Sequence, residues 1–163
     1  MKYLRGAAGI ILSLIFAVCF MCSPAFAASR LYHGMDVSSW QGDIDFQAVR
    51  AAGIEVVYIR TGVGPDYVDS RFQSNYENAL DAGMKIGYYH YVTASNTIQA
   101  RQQAEFFYSL IQDKQIDCYP AMDFESFPGL SRQEINAIGL AFMETLASRL
   151  GYGPALYTDL SLI

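Results

Sequence analysis

The sequence predicts an α/β fold of the (β/α) barrel type: an irregular, incomplete TIM-like barrel with about five of the usual eight strands. Short apolar runs alternate with amphipathic runs from residue 32 onward, which indicates strand–helix units and a parallel sheet. No G-x-G-x-x-G or P-loop pattern follows the first strand, which argues against a nucleotide-binding fold. Polar residues collect late in the strands, at the end where (β/α) barrels carry their active sites.

The first three elements lie between residues 32 and 62. The run YHGMDVS (32–38) predicts a first strand, and DFQAVRAAG (45–53) predicts a short helix that stops at Gly53. The segment EVVYIRTG (55–62) is apolar at nearly every position, as expected of a parallel strand covered on both faces. It is therefore the second predicted strand.

The middle of the chain repeats this alternation. A loop containing Gly64-Pro65 leads to a predicted helix at 71–83, which ends at a glycine C-cap. The apolar run KIGYYHYV (85–92) predicts the third strand, and the amphipathic run at 97–112 predicts the third helix.

The last three elements complete the prediction. The fourth strand is YPAMDFE (119–125), and the fourth helix (131–149) begins at Ser131, whose spacing to Glu134 forms a capping box. A fifth strand is predicted at 154–159. Because a closed barrel of this type needs about eight strands, either more chain completes it or the sheet has an open edge.

The N-terminal segment predicts export. Residues 1–27 contain Lys2 and Arg5, then an apolar run, and they end in Ala-Phe-Ala, an A-x-A cleavage pattern. This is the layout of a signal peptide, although an uncleaved membrane anchor is the alternative. Cleavage would leave nine basic against sixteen acidic residues, a net charge of −7, and Cys118 as the last cysteine. We therefore expect a secreted domain (28–163) without an internal disulfide, and neither nucleic acid nor membrane as a partner.

Two acids stand side by side in the fourth strand. Because side chains alternate in a strand, Ala121, Asp123 and Glu125 should share one face, while Met122 and Phe124 face the helices. Neighbouring carboxyls resist ionising together, so one should keep its proton to higher pH, as glycoside hydrolysis requires. This spacing is compatible with a retaining or an inverting reaction. The alternatives are a hydrated strand end or a Mg²⁺ or Ca²⁺ site, which few nearby oxygen ligands support.

Three motifs extend this interpretation, because together they resemble glycoside hydrolase family 25, the lysozymes or muramidases of bacteria, phages and fungi. The matching residues are, in order, Asp36, Ser38, Trp40 and Gln41-Gly42 in the first motif, Gly87, Tyr89, His90 and Tyr91 in the second, and Pro120, Asp123 and Glu125 in the third. The resemblance covers the chain from about residue 32 to its end and implies that 28–163 is part of such a catalytic domain.

The resemblance also implies catalytic roles. Glu125 corresponds to the acid that protonates the departing glycosidic oxygen, Asp123 to its ionised partner, and Asp36 to a further active-site carboxylate. The bond implied is the β-1,4 link between N-acetylmuramic acid and N-acetylglucosamine in peptidoglycan, cut outside the cell without a metal or organic cofactor. A further acid near the end of family domains has no counterpart here, since Asp159 follows the fifth strand at the wrong place.

The same motifs contain the expected substrate-binding side chains. Tyr89, Tyr91 and Trp40 offer aromatic faces to sugar rings, and His90 is expected to orient the carboxylates. Strand parity puts Tyr89 and Tyr91 on one face and His90 on the other. Arg60, late in the second strand, is expected to pair with an acid of the site or to solubilise a loop.

Two other functions remain as alternatives. One is a non-catalytic or vestigial peptidoglycan-binding protein. The other is a chitinase-type hydrolase with a D-x-x-D-x-D-x-E strand, but the acids before Glu125 are Asp123 and then Asp117, so that pattern is absent.

Overall fold

A six-stranded sheet forms the centre of the fold. The computed structural model describes residues 30–159. The strands are β1 (Gly34–Val37), β2 (Val56–Val63), β3 (Tyr67–Val68), β4 (Lys85–Tyr91), β5 (Ala121–Asp123) and β6 (Ala155–Tyr157). Five of them are parallel in the order β1-β2-β4-β5-β6, and β3 adds to β2 in the antiparallel direction. The predicted α/β class with a parallel sheet is confirmed.

Four α-helices connect the parallel strands. They are α1 (Phe46–Ala51), α2 (Phe72–Asp81), α3 (Thr97–Ile111) and α4 (Arg132–Leu150). The side chains of Asp45, Asn96 and Ser131 cap the first, third and fourth helices by accepting backbone N–H groups. The predicted capping box of Ser131 with Glu134 is present. Every predicted helix and strand is found, with ends that differ by a few residues.

The hydrophobic core lies between the helices and one face of the sheet. Strand residues Ile59, Tyr88 and Met122 are fully buried there, together with Phe107 of α3 and Phe142 of α4. Burial of a side chain of this size contributes about 1.5–3 kcal/mol to folding. Because one sheet face is committed to this core, alternate residues of the same strands are left for the opposite face.

The short hairpin between β2 and β3 was not predicted. It depends on Gly62, where an added Cβ would lie 2.0 Å from the carbonyl oxygen of Tyr67. Only a residue without a side chain lets β3 approach β2 this closely. The pairing of β2 with β4 is also irregular at this point, because the register shifts between Arg60 and Gly62.

The predicted signal peptide, residues 1–27, lies outside the described residues. Within 30–159, we find no helix long and apolar enough to cross a membrane.

Candidate active site

The sheet face opposite the core forms the floor of a cleft of about 830 Å³. Its polar and aromatic lining residues come from all five parallel strands and their extensions: Tyr32, Asp36, Ser38, Trp40, Gln41, Tyr58, Arg60, Tyr89, Tyr91, Asp123, Glu125 and Tyr157. The pairing explains their common direction, since Asp123 is in register with Tyr91 on one side and with Tyr157 on the other. A cleft of this volume is within the usual range for small-molecule and glycan sites.

Asp123 and Glu125 are the acidic centre of the cleft. Asp123 ends β5 and is only 6% exposed, whereas Glu125 follows beyond the strand and is half-buried. Phe124 between them is buried in the core, so the predicted alternation of faces is found. One carboxylate oxygen of Asp123, Oδ1, is buried without a hydrogen-bond partner among the described residues.

The pair retains a proton near neutral pH. The pKa of Asp123 is raised from 3.8 to about 7, first by burial and then by the hydrogen bond and the negative charge of Glu125. The positive charge of Arg60 lowers this pKa in part, and the charge of Asp36 raises it.

Asp36 lies on the same face of the sheet as the pair, in the edge strand β1. It lies in β1, is exposed to the cleft and pairs in register with Tyr58 of β2. Its charge raises the pKa values of both Asp123 and Tyr89. Asp36 is therefore electrostatically coupled to the acid pair.

Aromatic side chains from two segments flank these acids. Tyr89 and Tyr91 of β4 line the cleft, and burial raises the pKa of Tyr89 to about 12, so its hydroxyl is neutral. Trp40 lies on the rim, 84% exposed, in the 3₁₀ turn Ser39–Gln41. Ser38 and Gln41 form a capping box that fixes this turn.

His90 does not reach the cleft, which corrects its predicted contact with substrate. It is fully buried on the core side of β4, stacked on Phe107 at a centroid distance of 5.4 Å. Its Nε2 is 2.8 Å from the Gly64 carbonyl oxygen, and its Nδ1 is 2.9 Å from the Thr61 hydroxyl. The carbonyl requires an N–H donor at Nε2, and burial lowers the pKa of the ring from 6.5 to about 4, so the ring is neutral. His90 therefore supports the loop after β2 and does not orient the carboxylates directly.

The partner of Arg60 is Asp69, which sequence reasoning missed. Arg60 lines the cleft and donates to Asp69 Oδ2 at 2.7 Å and to Ser39 Oγ at 3.1 Å. Burial alone would raise the pKa of Asp69, but hydrogen bonds from Arg71 N–H, Ser39 N–H and Arg60 outweigh it and lower that pKa.

Tyr58 and Tyr157 are further cleft residues that sequence reasoning missed. Strand parity could have identified Tyr58, which is two residues before Arg60 in β2. Within the described chain, no group of three or more His, Cys, Asp or Glu side chains could hold a metal ion.

Comparison with known proteins identifies relatives of this chain. The family model for glycosyl hydrolases family 25 matches residues 35–163. The autolytic lysozyme of Clostridium acetobutylicum is 38% identical over 125 residues, which is 77% of this chain and 37% of that protein. Lysozyme M1 of Streptomyces globisporus is 42% identical over 76 residues, 47% of this chain and 26% of that protein. This chain therefore spans well under two thirds of the length of these curated relatives.

Solved structures share the fold. The bacterial lysozyme of Streptomyces coelicolor superposes with a TM-score of 0.71 at 30% identity, covering 82% of this chain and 65% of that one. A family 25 glycosyl hydrolase of Bacillus anthracis gives a TM-score of 0.70 at 26% identity, covering 80% and 62%.

Proposed function

This chain belongs to the glycosyl hydrolases of family 25, and we propose that it hydrolyses the β-1,4 bond between N-acetylmuramic acid and N-acetylglucosamine in peptidoglycan. The observation that carries this proposal is the acid pair. Asp123 and Glu125 line one cleft, and the raised pKa of Asp123 lets the pair hold one proton near neutral pH. A protonated carboxyl beside a carboxylate is what acid-catalysed glycoside cleavage needs.

We assign the proton transfer to Glu125. It is the outer, half-buried member of the pair, and its negative charge acts on Asp123, whose pKa is raised. Glu125 donates to the glycosidic oxygen as the bond to the anomeric carbon breaks, and water later supplies the hydroxyl while its proton returns to the pair. Asp123 and Asp36 then carry the negative charge that stabilises the oxocarbenium-like transition state or steers the acetamido group.

The remaining cleft residues suit a glycan. Tyr89 and Tyr91 flank the acids, and Trp40 offers an exposed ring at the rim. Aromatic faces beside a few directional polar groups are the usual lining of such sites. We propose that these three residues contact successive sugars of the glycan strand.

The test is release of reducing ends from purified peptidoglycan. We expect Glu125→Gln to lose at least about 100-fold in rate, the lower range for a general acid. Glu144→Gln is the matched control, because Glu144 lies exposed on α4 outside the cleft and its loss should leave the rate unchanged. Equal rates for wild type and Glu125→Gln would refute the assignment of Glu125.

The products identify the bond. Borohydride reduction of the digest converts new reducing ends to alditols, and mass spectrometry should detect muramitol from cleavage after N-acetylmuramic acid. Glucosaminitol alone would point to a different hydrolase. Co-sedimentation with insoluble peptidoglycan without any reducing ends would identify the non-catalytic glycan-binding alternative.

We further propose that residues 28–163 are part of a secreted catalytic domain with an irregular TIM-like (β/α) barrel. The parallel sheet with helices between successive strands supports the barrel. The charged start, apolar run and A-x-A ending of residues 1–27 support export. N-terminal sequencing of the exported protein should then begin at Ala28.

A further inference from the structure

Asp69 is a buried carboxylate next to the cleft but not part of its lining. It follows β3 and is 2% exposed. Its backbone N–H donates to the Thr61 carbonyl oxygen at 2.9 Å, which ties it to β2. Burying a carboxylate is costly unless its oxygens are well hydrogen-bonded, so the partners of each oxygen indicate its role.

The two carboxylate oxygens serve different parts of the fold. Oδ1 accepts the backbone N–H of Arg71 at 2.9 Å, a local turn that leads into α2. Oδ2 instead accepts the Ser39 N–H at 3.1 Å and the Arg60 Nε–H at 2.7 Å. The bond from the Arg71 N–H is enough to explain an aspartate at this turn. The bonds to Oδ2 instead connect Asp69 to the rim of the cleft, where Ser39 lies thirty residues earlier in the chain.

Asp69 and Arg60 bond to the rim turn from outside it. Trp40 is 84% exposed, so packing does not fix its ring, and its position follows from the backbone of the turn Ser39–Gln41. The capping box closes that turn on itself but attaches it to nothing beyond residue 41. Asp69 Oδ2 and the Arg60 bond to Ser39 Oγ join the turn to β2 and β3.

We propose that Asp69 is a positioning residue for glycan binding: its Oδ2 holds the Trp40 turn and Arg60 together at the rim of the cleft. This inference rests on the proposed function for its effect on substrate, but its effect on Trp40 can be measured without substrate. Gly62 makes the arrangement possible, because it lets β3 come close enough to β2 to bring Asp69 beneath the turn.

The test compares Asp69→Asn with Asp43→Asn. An asparagine has one side-chain oxygen, so it can keep the Arg71 turn or the rim contacts but not both. Asp43 pairs with Arg71 on the surface outside the cleft, so its replacement removes the same charge nearby without touching the rim. Trp40 is the single tryptophan of the chain, and its fluorescence anisotropy decay therefore reports the motion of this turn alone.

In the absence of substrate, we expect Asp69→Asn to enlarge the fast component of the anisotropy decay, and Asp43→Asn to leave it unchanged. With soluble peptidoglycan fragments, KM should rise about tenfold in Asp69→Asn, the loss expected for a hydrogen bond to a charged group, while kcat changes less. A variant with only lower stability would not separate KM from kcat in this way.

Ser39→Ala is a second variant that leaves the buried carboxylate intact. It removes the Arg60–Ser39 bond and should increase Trp40 motion to a smaller extent, so it decides the question if Asp69→Asn does not fold. The proposal is overturned if folded Asp69→Asn has the same anisotropy decay as wild type. If Asp69→Asn does not fold, the same result for Ser39→Ala overturns it. The two substitutions can change the motion of Trp40 as expected while the wild-type chain releases no reducing ends from peptidoglycan. That combination would refute the proposed function and not the role of Asp69.

Discussion

Asp123 and Glu125 enter the cleft from the same side of one strand and its extension, while Phe124 between them is buried in the core. The core contact of Phe124 fixes the rotation of this segment, so neither acid can turn away without exposing an aromatic ring. The two carboxyls are therefore held on one side of this segment, where the negative charge of Glu125 raises the pKa of Asp123.

The first prediction concerns the pH dependence of activity. If the pair works with one proton, kcat/KM should fall as the pH rises above about 7, where that proton is lost. Asp123→Asn removes the second carboxyl that retains the proton, so the falling limb of its residual activity should move to lower pH. Asp43→Asn should keep the wild-type profile. If kcat/KM of Asp123→Asn falls at the same pH as that of wild type, the titration of another group causes the fall.

The second prediction concerns stability. A raised pKa means that the folded chain binds the proton of Asp123 more tightly than the unfolded chain does. The resulting stabilisation is complete below pH 3.8 and is lost as the pH rises through about 7. Asp123→Asn stays neutral, so its free energy of unfolding relative to wild type should increase from pH 5 to pH 8, by roughly 2–3 kcal/mol.

Urea unfolding of both proteins at the two pH values measures this difference. The comparison cancels the constant effect of replacing a carboxyl by an amide, since that effect is present at both pH values. A difference that stays constant or shrinks toward pH 8 would mean that Asp123 is ionised in the folded chain at pH 5.

The acid pair shows what the sequence could predict. Alternation along one strand is a local rule, and it correctly separated Asp123 and Glu125 from Met122 and Phe124. The order of helices and strands was likewise predictable, because each carries its own apolar period and its own stop signal. Parity also put His90 on the face opposite Tyr89, and the substrate contact that the family motif suggested for it was wrong.

The Arg60–Asp69 pair shows what the sequence could not predict. The two residues meet because a two-residue strand folds back on β2 next to a register shift. A strand this short has no measurable period, and a register shift changes which face the following residues occupy. Long-range pairing of charges therefore had to come from the structure.

The third prediction concerns His90. Burial lowers the pKa of His90 from 6.5 to about 4, so the folded chain keeps the ring neutral while the unfolded chain protonates it. The stability that this provides is present above pH 6.5 and is lost as the pH falls toward 4, by about 2 kcal/mol between pH 7 and pH 5. Its sign is opposite to that of Asp123, so the two partly cancel in wild type.

NMR of the imidazole resonances checks this assignment directly. The chain has two histidines, and His90→Gln identifies which signals belong to His90. We expect those signals to stay constant from pH 8 to pH 5. A midpoint within that interval would contradict a buried, neutral ring. In His90→Gln, the fall in stability from pH 7 to pH 5 that is specific to His90 should disappear.

The fourth prediction concerns a close approach beneath the cleft. An added Cβ at Gly87 would lie 2.7 to 2.9 Å from the ring of Tyr58, closer than such contacts allow. The ring cannot easily withdraw, because its hydroxyl donates to the Tyr119 carbonyl oxygen at 3.1 Å. Gly87→Ala should therefore lower the free energy of unfolding by about 1–3 kcal/mol, the usual cost of overpacking. Because Tyr58 lines the cleft, KM for glycan should rise as well.

Gly139→Ala is the matched control for Gly87→Ala, since it adds the same methyl group where nothing lies within 4 Å. Gly139 is inside α4, where alanine is the better helix former by about 1 kcal/mol, so this variant should be more stable than wild type and equally active. Denaturation midpoints that move in opposite directions would assign the effect at position 87 to the Tyr58 ring. If both variants moved in the same direction, the loss of glycine flexibility would explain both, and the contact with Tyr58 would not be the cause.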